Sequence, residues 1–205
     1  MSTPRDRIER ALRQGFRLLN RLMVLLWRLG LGPSLSLTPT ITGRYLVLTH
    51  TGRKSGLPRR TPLNYAWIDG TIYVTAGFGP VSDWYRNLLA HPQVEIWLPD
   101  GRRAARAEEL PDSHPQRLAL LREVLKGSGF ATMLAGINPY TFSDARLARA
   151  SRFYRLIAIT PGEELRGPGG PGDLAWVWWP VAGGALAISA LARRLRLSRV
   201  DRPGI

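Results

Sequence analysis

Residues Thr61 to Ala76, TPLNYAWIDGTIYVTA, decide the fold. Two runs rich in β-branched and aromatic residues, Thr61–Ile68 and Thr71–Thr75, flank Asp69-Gly70, a dipeptide suited to the positive-φ positions of a tight hairpin turn. Upstream, Tyr45–Thr49 is another short apolar run. Downstream, Gly77-Phe-Gly-Pro80 breaks the strand pattern, and Ser82 or Asp83 can cap a helix carrying Trp84, Leu88 and Leu89. That helix must stop near His91-Pro92, because a residue before proline is pushed out of the helical region. Val94–Trp97, the turn Pro99-Asp100-Gly101 and Arg102–Glu108 make a further hairpin. His114–Leu125 reads as a helix and Tyr154–Thr160 as a late strand. Hairpins on short turns, with helices inserted between them, predict an antiparallel α+β barrel rather than a βαβ sheet. There is no internal repeat and no sign of a second domain.

Composition narrows the chemistry. The chain lacks cysteine, which removes disulfides, thiolate ligands and cysteine nucleophiles together. His50, His91 and His114 are scattered and make no metal-ligand spacing, so no metal site is expected. Twenty-nine basic against fifteen acidic residues give a net charge of +14, which points to an anionic partner: nucleic acid, an acidic lipid surface or a polyanionic cofactor. Nucleic acid is disfavoured. No helix-turn-helix, RNA-recognition or zinc module is present, and the arginines cluster beside apolar runs at the chain ends.

Those ends are distinctive. Across residues 5–29, Ile8, Leu12, Phe16, Leu19, Met23 and Leu26 recur every three or four positions with arginines between them, the pattern of an amphipathic helix. Its uncharged run Leu22–Trp27 is far short of the ~20 residues that span a bilayer. Without a small-residue cleavage site it does not read as a signal peptide. It suits either an interfacial membrane anchor or a helix packed on its own domain. Leu174–Ala192 has no charge, carries Trp176, Trp178 and Trp179 at one end and is followed by Arg193, Arg194, Arg196 and Arg199. At ~1.5 Å per residue it is just long enough to cross a membrane. Pro180 and Gly183-Gly184 predict instead a segment broken into two short helical arms, a monotopic hairpin with both ends cytoplasmic. The soluble alternative folds this segment over the barrel or over the partner in a homodimer. The expected organisation is therefore 1–42 amphipathic helix and connector, 43–165 barrel, and 166–205 linker, apolar segment and basic tail.

The chemistry concentrates in Thr49–Pro62, THTGRKSGLPRRTP. Gly52 and Gly56 flank Arg53, Lys54 and Ser55 between two strands, so tight turning, approachable backbone N–H groups, cations and a hydroxyl converge as an anion site would need. This is not a Walker loop, since GxxxxGK[ST] is absent and no helix follows. By chemistry alone a basic hairpin turn is the simpler reading. Ala76–His91, AGFGPVSDWYRNLLAH, adds a glycine-rich backbone leading into a helix N-terminus, again suited to an anion or carbonyl. Trp84 could wall a planar ring, though an aromatic on a helix is more often core.

In this order, a strand, TGRKSG, PRRTP, a DG hairpin and a glycine loop running into DWYRNL resemble the deazaflavin-dependent nitroreductase family. Its members are F420-dependent quinone and nitro-reductases of split β-barrel fold, distantly related to flavin-binding pyridoxamine-phosphate-oxidase-like proteins. The resemblance spans about Arg44–Leu110 and weakens towards a closing strand near Arg155–Thr160. It implies an α+β split barrel that moves hydride from reduced coenzyme F420, an 8-hydroxy-5-deazaflavin, to a quinone, nitro compound or activated alkene. FMN is the alternative cofactor, and a non-catalytic binding protein the alternative function. The resemblance further implies that Gly52, Arg53, Lys54, Ser55, Gly56, Arg59 and Arg60 hold the coenzyme's phosphate and acidic tail, with Thr61 and Pro62 lining the site. Ala76, Gly77, Phe78 and Gly79 would contact the ring, and Trp84 and Asn87 match the family's tryptophan and asparagine. Many members have a longer loop with a lysine before that tryptophan, where this chain has only Ser82 and Asp83. Tyr140 and Tyr154 fall where members place substrate-side tyrosines and are the candidate proton donors, against a purely structural role. The partners expected are a lipophilic small-molecule acceptor and an anionic membrane surface, with the protein on the cytoplasmic face.

Overall fold

A computed structural model describes residue 15 and residues 18–36, 43–184 and 188–189. Six antiparallel strands close into a barrel: β1 (Tyr45–Thr51), β2 (Pro58–Ile68), β3 (Thr71–Ala76), β4 (Gln93–Leu98), β5 (Gly101–Glu109) and β6 (Arg155–Glu164), in the order β1-β2-β3-β6-β5-β4. The α+β barrel expected from the hairpin pattern is the fold. The β2–β3 hairpin turns on Asp69 (φ 49°) and Gly70 (φ 79°), two consecutive positive-φ residues as a two-residue turn of this hand requires. Alternation along the strands fills the interior: Leu46, Leu48, Ile72, Val74, Ile96, Leu98, Ile157 and Ile159 share one buried cluster.

Helices among the described residues include α1 (residues 18–28), α2 (Asp83–Ala90), α3 (Arg117–Lys126), α4 (Phe130–Leu134), α5 (Asp144–Ala150) and α6 (residues 178–184). From α2, Tyr85 and Leu88 reach the barrel cluster. Tyr85 donates to Glu109 Oε2 at 2.6 Å, and burial first, then this bond, pushes its phenol up to about 12. Outside the barrel, α3 lays Leu120 and Val124 on Ala66 and Leu156, and packs Leu121 and Leu125 against Ile137 and Leu147.

Several local expectations need correction. The helix expected from His114 starts only at Arg117, because residues 112–116 form turns closed by Arg117 N–H to the His114 carbonyl. The last strand runs beyond Thr160 to Glu164, since β5 keeps pairing with it across an irregularity between Arg103 and Ala105. Ser82 does stand at the start of α2, but its hydroxyl makes no capping bond. Up to residue 184 the apolar segment shows no break at Pro180. It lies in the first turn of α6, where a missing N–H costs nothing, and Gly183 and Gly184 continue that helix. Among the described residues no helix is long and apolar enough to cross a membrane. Residues 185–187 and 190–192 of that segment, and residues 5–14, 16 and 17 of the expected N-terminal helix, lie outside the described residues.

Candidate functional site

Between β1 and β2 the chain folds tightly on Gly52. Its carbonyl accepts from the N–H groups of Ser55 (3.1 Å) and Gly56 (2.8 Å), and its own N–H donates to the Leu57 carbonyl at 2.9 Å. A side chain at Gly52 would start 2.8 Å from Ser55 Oγ, and Gly56 has φ 67°, so the two glycines answer two separate demands, space and a left-handed backbone. Arg53 ties this loop to α2. Its N–H and Nη1 donate to Asn87 Oδ1 at 3.1 and 2.9 Å, and its Nη2 pairs with Asp83 Oδ1 at 3.0 Å. Arg53 is thus engaged with protein. Lys54 and Arg59 are exposed, and among the described residues neither has a carboxylate partner.

Behind the loop lies a residue that the sequence reading did not single out. His50 is buried, with Nε2 3.1 Å from Thr61 Oγ1 and Nδ1 3.2 Å from Asn87 Nδ2. Desolvation first, then the nearby Arg59 charge, lowers its pKa from 6.5 to about 4. The ring is neutral at physiological pH. Asn87 Nδ2 can only donate, so Nδ1 accepts and the proton sits on Nε2, donated to Thr61. Asn87 is therefore spent on both sides, holding His50 with its amide and Arg53 with its carbonyl oxygen. The signal for His50 was available: Leu46, Leu48 and His50 alternate onto the interior face, and a histidine closing such a run beside a cationic loop calls for partners.

Strand alternation also divides the expected phosphate set. In the β1–β2 register Arg59 faces His50 and Thr61 faces Leu48, whereas Arg60 pairs with Thr49 and Pro62 with Val47. Arg59 and Thr61 fall on the His50 face. Arg60 lies on the other, its guanidinium 4.9 Å from the centroid of Trp97, where Trp97 packs with Trp27 and Val47.

The glycine loop comes next. Ala76 ends β3, buried and paired with Arg155. A side chain at Gly77 would begin 3.6 Å from the Tyr154 ring and 3.8 Å from its hydroxyl, so Tyr154 lies beside this turn. Gly79 has φ 60°, and a side chain there would collide with the Phe153 carbonyl, so only glycine lets the loop lie against β6's approach. Phe78 and Val81 are exposed beside the start of α2, as is Leu57 at the end of the cationic loop. Trp84 packs against the barrel cluster while remaining partly exposed. Burial holds the Tyr154 phenol above the usual phenolic range, so it is a protonated donor at neutral pH. Tyr140 stands apart, in a shallow hollow along α3 with Arg44, Tyr65, Glu123 and Lys126. The loop from Gly52 to Gly56, Arg59, Thr61, Asp83 and Asn87 are thus brought together around one cationic corner, with the Gly77–Gly79 turn leading into α2.

Residues 34–128 match the model of a family described as F420H(2)-dependent quinone reductase. Among solved structures, an F420-H2 dependent reductase is 23% identical, covers 57% of this chain and 93% of its own, and superposes with a TM-score of 0.40. An F420 reductase is 21% identical over 63% of this chain and 92% of its own, with a TM-score of 0.39. A conserved hypothetical protein from Mycobacterium tuberculosis is 21% identical over 58% and 74%, with a TM-score of 0.41. With scores this low, these three likenesses carry nothing about ligand or substrate. The family match covers β1 to α3 and includes the cationic loop, the glycine loop and α2. That stretch, somewhat under half of the chain, is similar to the F420H(2)-dependent quinone reductase family.

Proposed function

We propose that this protein reduces an apolar acceptor, a quinone or a comparably lipophilic nitro compound or alkene, with hydride from reduced coenzyme F420. One observation carries the reading beyond the family match: Arg53 is consumed in fixing the loop, while Lys54 and Arg59 stay exposed on the prepared surface and, among the described residues, have no carboxylate partner. Cations held without internal counter-charges fit a phosphate followed by a polyacidic tail. The exposed Leu57, Phe78 and Val81 beside them fit an apolar ring system and an apolar acceptor. These donor and apolar groups suit F420 better than FMN, which has the phosphate but no acidic tail.

When bound, the coenzyme supplies hydride chemistry from its deazaflavin ring. The chain's own work is to bind, orient and shield. Lys54, Ser55 and Arg59 would hold the anionic end, and the backbone at Gly77 and Gly79, where no side chain projects, would lie along the ring. Tyr154, protonated and bordering Gly77, is the group best placed to hold a proton near the acceptor. The test is steady-state oxidation of reduced F420 with a lipophilic quinone in micelles, against water-soluble acceptors. Turnover with the lipophilic acceptor is expected. Tight coenzyme binding with no turnover on any acceptor would make the protein a coenzyme carrier instead.

A further inference from the structure

Helix α1 and the segment that follows β6 meet on the barrel's outer face. Helix α1 is seated by Trp27, fully buried against Val47 and Trp97, with Val24 packed beside it. At 3.6 residues per turn, Leu18, Leu22 and Leu25 lie on the side of α1 away from Trp27, and Leu19 flanks them. All four are exposed, Leu18 to 69%. A helix docked on a soluble protein ordinarily turns its apolar stripe inward and its polar face out. Here one tryptophan does the docking, and a leucine face is left outward.

The C-terminal segment then completes this helix. A helix leaves its last carbonyls unsatisfied. Gly172 N–H donates to the Trp27 carbonyl (2.9 Å), Leu174 N–H to that of Arg28 (2.8 Å), and Trp178 Nε1 to that of Leu29 (2.9 Å). Arg28 clamps Asp173 through Nε and Nη2 at 2.9 to 3.1 Å. The result sets Trp176, Trp179 (81% exposed) and Val181, all exposed, on a segment fastened to the end of α1.

We infer that α1 and the tryptophan segment form one composite face that docks on an anionic bilayer surface. Leucines suit the acyl boundary and indoles the headgroup level, which is the chemistry of an interfacial rather than spanning element. Charge selects the occupant. Seven arginines lie between residues 5 and 28, five more between 193 and 202, and the whole chain carries +14. A twofold contact would bring two chains of +14 against each other, whereas the acidic lipids of an anionic bilayer would neutralise that charge. The Arg28–Asp173 clamp makes the two halves a single surface, so binding depends on their union and not on charge alone.

The experiment is co-sedimentation of the full-length protein with phosphatidylcholine vesicles, with and without phosphatidylserine. Binding to the anionic vesicles is expected, weakened by high salt. L22S/L25S and W176S/W179S should each lose about tenfold or more in binding, with circular dichroism unchanged. D173A is the discriminating variant. It removes a negative charge, so simple charge attraction predicts tighter binding, whereas loss of the clamp predicts binding several-fold weaker. Tighter binding by D173A, a protein that stays in the supernatant with anionic vesicles, or a dimer in solution that W176S/W179S splits would each overturn the inference.

Discussion

Asn87 Oδ1 accepts two hydrogen bonds from Arg53, one from its backbone N–H at 3.1 Å and one from Nη1 at 2.9 Å. This pairing fixes where the cationic loop sits relative to α2. Asn87→Leu keeps the volume but strands the Arg53 donors and His50, so it should cost about 1–3 kcal/mol of stability and weaken F420 binding by about a decade. Asp83→Ala removes the exposed half of the same clamp, with Asp83 largely open to solvent. It should cost under about 1 kcal/mol. Chemical denaturation of both variants checks this, and equal losses would mean the asparagine bridge is not the dominant tether.

His50 makes stability pH-dependent in a defined direction. The unfolded chain takes up a proton near the ordinary 6.5, whereas the folded protein keeps the ring neutral down to about 4. Between those values the unfolded state binds more protons, so stability rises with pH. The contribution is complete above 6.5 and is lost as pH falls towards 4, on the order of 2–3 kcal/mol. Urea unfolding of the protein and of His50→Gln at several pH values in that window should give a steeper dependence for the parent. Parallel curves would show that His50 titrates normally.

The division of the β2 arginines by strand alternation predicts unequal effects. Arg59→Ala should lower F420 affinity about tenfold or more, since a charge-assisted contact contributes about 1.5–3 kcal/mol. Arg60→Ala, taken off the Trp97 ring, should chiefly cost the stacking contact, about 0.5–1 kcal/mol of stability. Coenzyme titration of the two single variants measures this directly. A larger affinity loss for Arg60 would place the tail on the opposite face of the strand.

Gly32 lies flat against the Trp27 indole: a side chain there would begin 2.3 Å from Trp27 Cδ2. Gly32→Ala must therefore displace the tryptophan that seats α1. Tryptophan fluorescence and thermal unfolding should show a loosened ring and a loss of about 1–3 kcal/mol, with the barrel's circular dichroism retained.

The barrel was legible because its signals are local. Asp69-Gly70 and Pro99-Asp100-Gly101 mark turns, and the runs beside them alternate. The positions of the glycine loop and α2 followed from Pro80, the Ser82-Asp83 pair and Pro92. Helices α4 and α5 escaped because each is short, seven residues at most, and offers too few turns for a periodicity to stand out. In the site, residue types betrayed the loop but not its wiring. Arg53 looks like Lys54 in sequence, and only the fold shows that one is engaged with Asn87 and Asp83 while the other is exposed and, among the described residues, has no carboxylate partner. His50 closes the alternating run of Leu46 and Leu48 beside the cationic loop, which marks it as interior, but its partners Thr61 and Asn87 are brought beside it only by the fold. The clasp between Arg28 and Asp173, 145 residues apart, has no local trace at all.

The central claim is that the corner formed by Lys54, Arg59 and the Asn87-tethered loop is built for a phosphate with a polyacidic tail. Side-by-side fluorescence titration of the purified protein with F420 and FMN tests it most directly. F420 should bind at least about tenfold more tightly, the worth of one or more charge-assisted contacts to the tail, and raising the salt should narrow the gap. Equal or tighter binding of FMN would contradict the account.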